Sequence, residues 1–250
     1  MPDLISQVLA LPGLGWLIAA SFVGGIVRGF SGFGTALVFM PVAARFLDPL
    51  WAIMALMVME IFGPMPNLPR AARIANRRDI TLMLGATVIT LPLGLWVLVQ
   101  VRADVFAWVV SGLALVMLAC LLSGLRYRGP VGPRLVTATG GMAGFLGGLT
   151  GMPGPPVILL YLAAPHPASM VRASIMVYLF LYDVLLLVAL WVKGILALVP
   201  LGLGVILTVP SVLGNMLGGW IFRPEHERLY RGVAFSVIGA SALSGLPIWR

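Results

Sequence analysis

The chain has 250 residues, of which 60% are hydrophobic and only 10% charged, with a mean hydropathy of +1.06. A water-soluble domain carries about 25% charged residues, so this composition excludes one; the apolar runs are also far longer than the roughly ten-residue alternating pieces of a β-barrel. The formal charge of +8 sits in short loops between the apolar runs, where it sets topology by the positive-inside rule and gives no reason to expect a nucleic-acid partner.

The N-terminus, MPDLISQVLALPGLGW, has no basic region before its apolar stretch and no clear small-residue cleavage site. The first hydrophobic element is therefore expected to stay in the mature protein. Eight hydrophobic segments follow, over 13–44, 50–68, 80–100, 104–124, 135–164, 170–192, 195–221 and 229–247. Most have the length of about 20 residues that a spanning helix needs. The first and fifth are longer and broken in the middle, by RGFSGFG (28–34) and GGLTGMPGPP (147–156). The loops are short and basic at 70–79 and 126–134, and of mixed charge at 222–231. The expected fold is an all-α polytopic membrane protein.

The two broken segments resemble each other. Gly25-Ile26-Val27-Arg28-Gly29-Phe30-Ser31-Gly32-Phe33 aligns with Gly144-Phe145-Leu146-Gly147-Gly148-Leu149-Thr150-Gly151-Met152, 119 residues on. Val88-Ile89-Thr90-Leu91-Pro92 aligns with Ile206-Leu207-Thr208-Val209-Pro210, 118 residues on. Two matches at nearly constant offset point to an internal duplication: an N-terminal repeat over 1–125 and a C-terminal repeat over 126–250, four segments each. If each broken segment dips in and returns, the second repeat is inverted and the basic residues divide eleven inside to four outside; eight plain crossings divide them nine to six. The inverted arrangement sorts charge better. The opposing reading is that segments one and five are tilted, kinked spanning helices.

A break exposes backbone polar groups, which survive in a membrane only when buried in protein or lining a wet cavity. The helix that starts after a break presents free N–H groups and a positive dipole end, a ready anion site. Paired breaks in the two halves of a transporter commonly meet near the midplane to hold substrate. The candidate substrate-binding residues are Arg28, Gly29, Ser31, Gly32, Phe33, Gly34 and Thr35 in the first break, and Gly148, Thr150, Gly151, Met152, Pro153 and Gly154 in the second. A second layer would comprise Glu60, Asn67, Thr90, Tyr178, Tyr182, Asp183 and Thr208. Glu60 and Asp183 lie inside apolar helices, where acids are costly and face a bundle interior or cavity; they are candidates for proton coupling or for an ion pair with Arg28.

Each feature has an ordinary alternative. Glycines spaced i,i+4, such as Gly25/Gly29 and Gly214/Gly218, serve close helix packing. Phe30 and Phe33 are more often packing residues, Arg28 can snorkel to an interface, and Cys120 is most simply a small packing residue. One cysteine gives no disulfide framework, and His166 and His226 stand too far apart for a metal site. GFSGFG is one residue short of a G-x-S-x-G nucleophile motif, so an enzyme is not expected. No cofactor is called for. Glycine-rich faces would permit a homodimer.

The size, the eight segments in two related halves, GFSGFG followed by Met40-Pro41, and the later G-x-T-G-x-x-G with Pro155-Pro156 together resemble the sulfite exporter TauE/SafE family, the TSUP permeases. That resemblance implies export of small sulfur-containing anions (sulfite, sulfoacetate or other sulfonates) across a bacterial cytoplasmic membrane. It places the family's glycine-rich motifs on Gly29, Ser31, Gly32 and Gly34 and on Gly148, Thr150, Gly151 and Gly154. Met152-Pro153 stands where the first half has Phe33 alone, so the two sites need not be equivalent. A carboxylate carrier, an anion channel and a membrane scaffold are the rival readings.

Overall fold

The computed structural model describes every residue except 1, 66, 124–130, 164–166, 222–226 and 250. His166, His226 and the basic residues Arg126, Arg128, Arg223 and Arg250 lie outside the described residues. The fold is all-helical, with no strand among the described residues. In chain order the helices are α1 (Pro2–Leu9), α2 (Leu14–Ser31), α3 (Thr35–Phe46), α4 (Pro49–Phe62), α5 (Leu68–Ile74), α6 (Arg77–Leu98), α7 (Ala103–Leu122), α8 (Pro133–Thr150), α9 (Gly154–Ala163), α10 (Ala168–Val192), α11 (Leu198–Ile221) and α12 (Glu227–Gly245). Helices α2, α6, α7, α10 and α11 are long and apolar enough to cross a membrane; α3, α4 and the Gly232–Gly245 part of α12 are apolar but shorter. The first and fifth hydrophobic segments each contain two helices, α2 and α3 in one and α8 and α9 in the other, divided where the glycine-rich stretches fall.

The helices gather into two compact units. One contains Met1–Met59, Val101–Ser123 and Ala197–Arg250; the other contains Glu60–Gln100 and Gly124–Leu196. Each unit draws helices from both sequence halves, so the division at 125/126 and the division into units are different partitions of the chain.

Within the first unit, α2 and α11 cross at backbone contact. A Cβ added at Gly25 would lie no more than 3.0 Å from the backbone of Ser211 and Asn215, and one at Gly29 would meet Asn215, Gly218 and Gly219 as closely. From the other side, Gly214 faces Phe22 and Gly218 faces Ile26. Lipid tails give apolar helices no hydrophobic reason to associate, so close van der Waals approach through small residues is the main attraction available. Helix α12 packs on α3 and α7 in the same unit.

The second unit contains the same kind of crossing between α6 and α8. Gly94 faces Phe145, Gly148 and Leu149; Gly148 faces Leu91, Gly94 and Leu95; Gly140 faces Met83, and Gly144 faces Thr87 and Thr90. Helix α10 packs on α5, α6 and α9. The start of α6 is tied to α10: the Asn76 N–H donates to Ser174 Oγ at 2.9 Å, while the Asn76 side chain caps the helix by accepting from the Asp79 N–H at 3.3 Å. That cap satisfies one of the open N–H groups at the helix start.

Candidate functional site

Helix α2 stops at Ser31 because Gly32 takes a left-handed conformation (φ 82°), with its N–H donating to Arg28 O at 2.7 Å. Glycine adopts that conformation without the Cβ penalty other residues meet. The Ser31 hydroxyl lies 2.6 Å from Val27 O and 2.5 Å from Phe33 O, and its oxygen accepts from the Phe33 N–H at 3.3 Å. Gly34 (φ 115°) then turns the chain into α3. The turn is a reversal. A Cβ on Gly34 would lie 2.8 Å from Val27 Cγ1, and one on Gly24 would lie 3.3 Å from Thr35 Cα. Gly24 is seven residues, about 10 Å of helix, before Ser31, so α3 starts two turns back along α2 rather than continuing it. A single kinked helix over 13–44 does not describe this segment.

The start of α3 leaves donors open. Val38 is the first residue whose N–H bonds back, to Gly34 O at 3.1 Å. The N–H groups of Gly34, Thr35, Ala36 and Leu37 meet no acceptor among the described residues, as the geometry of a helix start dictates. Thr35 is 1% exposed, and its Oγ1 has no hydrogen-bond partner among the described residues.

The second break repeats the stop of the first. Helix α8 ends at Thr150, Gly151 is left-handed (φ 71°), and its N–H donates to Gly147 O at 2.7 Å. The Thr150 hydroxyl donates to Leu146 O at 2.6 Å and accepts from the Met152 N–H at 3.2 Å. The restart differs. Helix α9 opens Gly154-Pro155-Pro156 after Pro153, and three of those four residues have no N–H. Gly151, Met152 and Pro153 are buried, whereas Gly32 is exposed.

The remaining expected residues fall in varied places. Gly29 and Gly148 lie in the two glycine crossings, against α11 and α6 respectively. Arg28 is half-buried in the last turn of α2, where a cation complements the negative end of the helix. Phe33 is half-buried in the break. Phe30 packs on the Tyr230 ring at 5.7 Å, the packing role expected of it.

Among the second-layer residues, Thr90 and Thr208 donate to carbonyls on their own helices, Ala86 O and Gly204 O, at 3.1 and 2.8 Å. Glu60 is half-buried near the end of α4, Asn67 is exposed ahead of α5, and Asp183 is buried in α10. Tyr178 and Tyr182 are fully buried on α10. Tyr178 hydrogen-bonds Thr87 Oγ1 at 2.8 Å, and the Tyr182 ring occupies the space where a Cβ on Gly147 would stand.

Thr87 escaped the sequence reading, yet it ties three helices together. Its hydroxyl lies 2.8 Å from Met83 O on α6, 3.0 Å from Gly140 O on α8 and 2.8 Å from Tyr178 OH on α10. Asn215, whose backbone receives both Gly25 and Gly29, was also missed. The available signal was a polar residue in mid-span, one step from a glycine in a small-residue series.

The family model for the sulfite exporter TauE/SafE matches residues 17–245, nearly the whole chain and including both breaks. No curated protein and no solved structure matches the chain. On that match, the chain belongs to the sulfite exporter TauE/SafE family, a family of membrane transporters.

Proposed function

We propose that the protein is a secondary transporter, working outward, that carries a small sulfur-containing anion such as sulfite, sulfoacetate or another sulfonate across the bacterial cytoplasmic membrane by alternating access. The observation that carries this reading is the first break, where a helix start inside an apolar chain of this family leaves N–H groups and a hydroxyl without acceptors. Open donors at a helix N-terminus favour an anion, and the preference is strongest where water is scarce. Both breaks belong to the proposed substrate-binding set, together with the residues assigned to them above.

The inverted-repeat arrangement belongs to the same proposal. It draws support from the shared stop at Ser31-Gly32 and Thr150-Gly151, from the reversal of the chain at the first break, and from the glycine crossings α2–α11 and α6–α8. Glu60 and Asp183 are the proposed coupling acids.

Reconstituted liposomes provide the test. Labelled sulfite, sulfoacetate, taurine and acetate are offered with and without a proton gradient. Saturable flux of sulfite or a sulfonate is expected; flux of acetate alone would move the reading to carboxylates, and no flux of any sulfur anion would sink it. Glu60→Gln or Asp183→Asn is expected to remove dependence on the gradient at whichever acid is coupled.

A further inference from the structure

The breaks are alike where a helix stops and unlike where the next one starts. In the first, four backbone N–H groups (Gly34, Thr35, Ala36, Leu37) and the Thr35 hydroxyl meet no acceptor among the described residues. In the second, the Gly151 and Met152 N–H groups are bonded just as those of Gly32 and Phe33 are in the first, and the difference lies in the residues that follow. Pro153, Pro155 and Pro156 have none to offer, so Gly154 supplies the one N–H in the first three residues of α9.

The Thr35 hydroxyl makes the first break more than a helix start. Threonines buried in apolar helices ordinarily donate to the carbonyl four residues back. In this protein Thr87, Thr90, Thr139, Thr150 and Thr208 all do so, at 2.6 to 3.1 Å. Thr35 opens α3, so its own helix offers it no carbonyl four residues back; its hydroxyl has no partner among the described residues, and at 1% exposure it has no access to bulk water either. A buried hydroxyl without a partner is unfavourable, and a ligand that accepts from it would account for its burial. Cα–Cβ bonds tilt toward the helix N-terminus, which places this hydroxyl at the same end as the open N–H groups.

Resting on the transport reading above, we infer that the first break binds the oxyanion, through the Thr35 hydroxyl and the N–H groups that open α3, and that this donor set selects a three-oxygen anion over a carboxylate. Five donors exceed the roughly four acceptor positions of a carboxylate. The three oxygens of a sulfonate can take all five.

Methanesulfonate and acetate carry the same methyl group on the two kinds of oxyanion, so they are the probes. Binding to purified protein and uptake into liposomes are measured for the wild type, Thr35→Val and Thr35→Ser, with detergent melting curves to show that each variant is folded. The wild type is expected to prefer methanesulfonate. Thr35→Val is expected to lower methanesulfonate affinity about tenfold or more, the size of a lost hydrogen bond to a charged group, and to narrow the preference over acetate; Thr35→Ser is expected to restore both. Thr35→Ala replaces the valine variant if the latter does not insert. Unchanged affinity without the hydroxyl, or a serine variant as weak as the valine one, overturns the assignment and leaves the transport reading standing. A wild type that takes up neither sulfite nor methanesulfonate overturns the transport reading, and this assignment with it.

Discussion

At Ser31 and at Thr150 a helix ends in the same way: a hydroxyl over the carbonyl four residues back, a left-handed glycine bonded back at 2.7 Å, and the next N–H turned onto the hydroxyl. Three residues later the resemblance is gone. One chain enters Thr35-Ala36-Leu37 with its donors open, the other enters Gly154-Pro155-Pro156 with hardly any. The stop and the restart of a broken helix are therefore separate devices, set by different residues. A match between the two stops, however close, carries no information about what either restart can bind.

The largest effects should come from the crossings beside the breaks. Gly25→Val and Gly148→Val each press a side chain onto backbone closer than 3.0 Å, and backbone cannot step aside as a flexible side chain does. Each should cost about 3 kcal/mol or more and leave no monodisperse protein in detergent chromatography. A folded Gly148→Val protein beside an unfolded Gly25→Val protein would show that the two crossings are not equivalent. Next in size is Gly32→Ala. Nothing lies within 4 Å of the added carbon, so the cost is conformational, about 1–2 kcal/mol for a left-handed non-glycine residue. A melting shift as large as that of the crossing variants would refute this.

Smaller still are Ser31→Ala and Thr150→Ala. Each leaves one N–H, of Phe33 or Met152, without its acceptor. Each should lose about 1 kcal/mol, and by similar amounts, because the stops are alike; melting curves differing widely would break the likeness. The least effect on binding is expected from the double substitution Pro155→Ala, Pro156→Ala. It adds two N–H groups to the second restart and frees the unfolded chain, at a cost of about 0.4–1 kcal/mol per site. Methanesulfonate affinity should stay at the wild-type value, and a rise would bring the second break into contact with the anion.

Much of this was legible in the sequence, and for a physical reason. A glycine that must take positive φ inside a membrane helix stands out against its apolar neighbours, so both breaks could be placed, and both fall where expected, at Gly32 and Gly151. The i,i+4 glycines could be read as packing residues, and Gly25, Gly29, Gly214 and Gly218 do pack. Which helix each meets could not be read, because pairing across nearly 200 residues leaves no local trace. For the same reason Thr87 looked like one more polar residue until Gly140 and Tyr178 were seen on either side of it. The prolines at 155 and 156 were always visible. Their missing donors acquired meaning only once α9 was seen to begin at Gly154.

The glycine crossings also fix a timetable for synthesis. The partners α6 and α8 are near neighbours in the chain, so their crossing can close soon after Thr150 is translated. Helix α2 must wait for α11, about 190 residues later. At roughly 5–20 residues per second, its small-residue face goes without its final partner for about 10–40 s. During that interval the groove that Gly214 and Gly218 will later fill stands open to lipid or to any neighbouring helix. The unit that contains the donor-rich break is therefore the last part of the protein to be assembled.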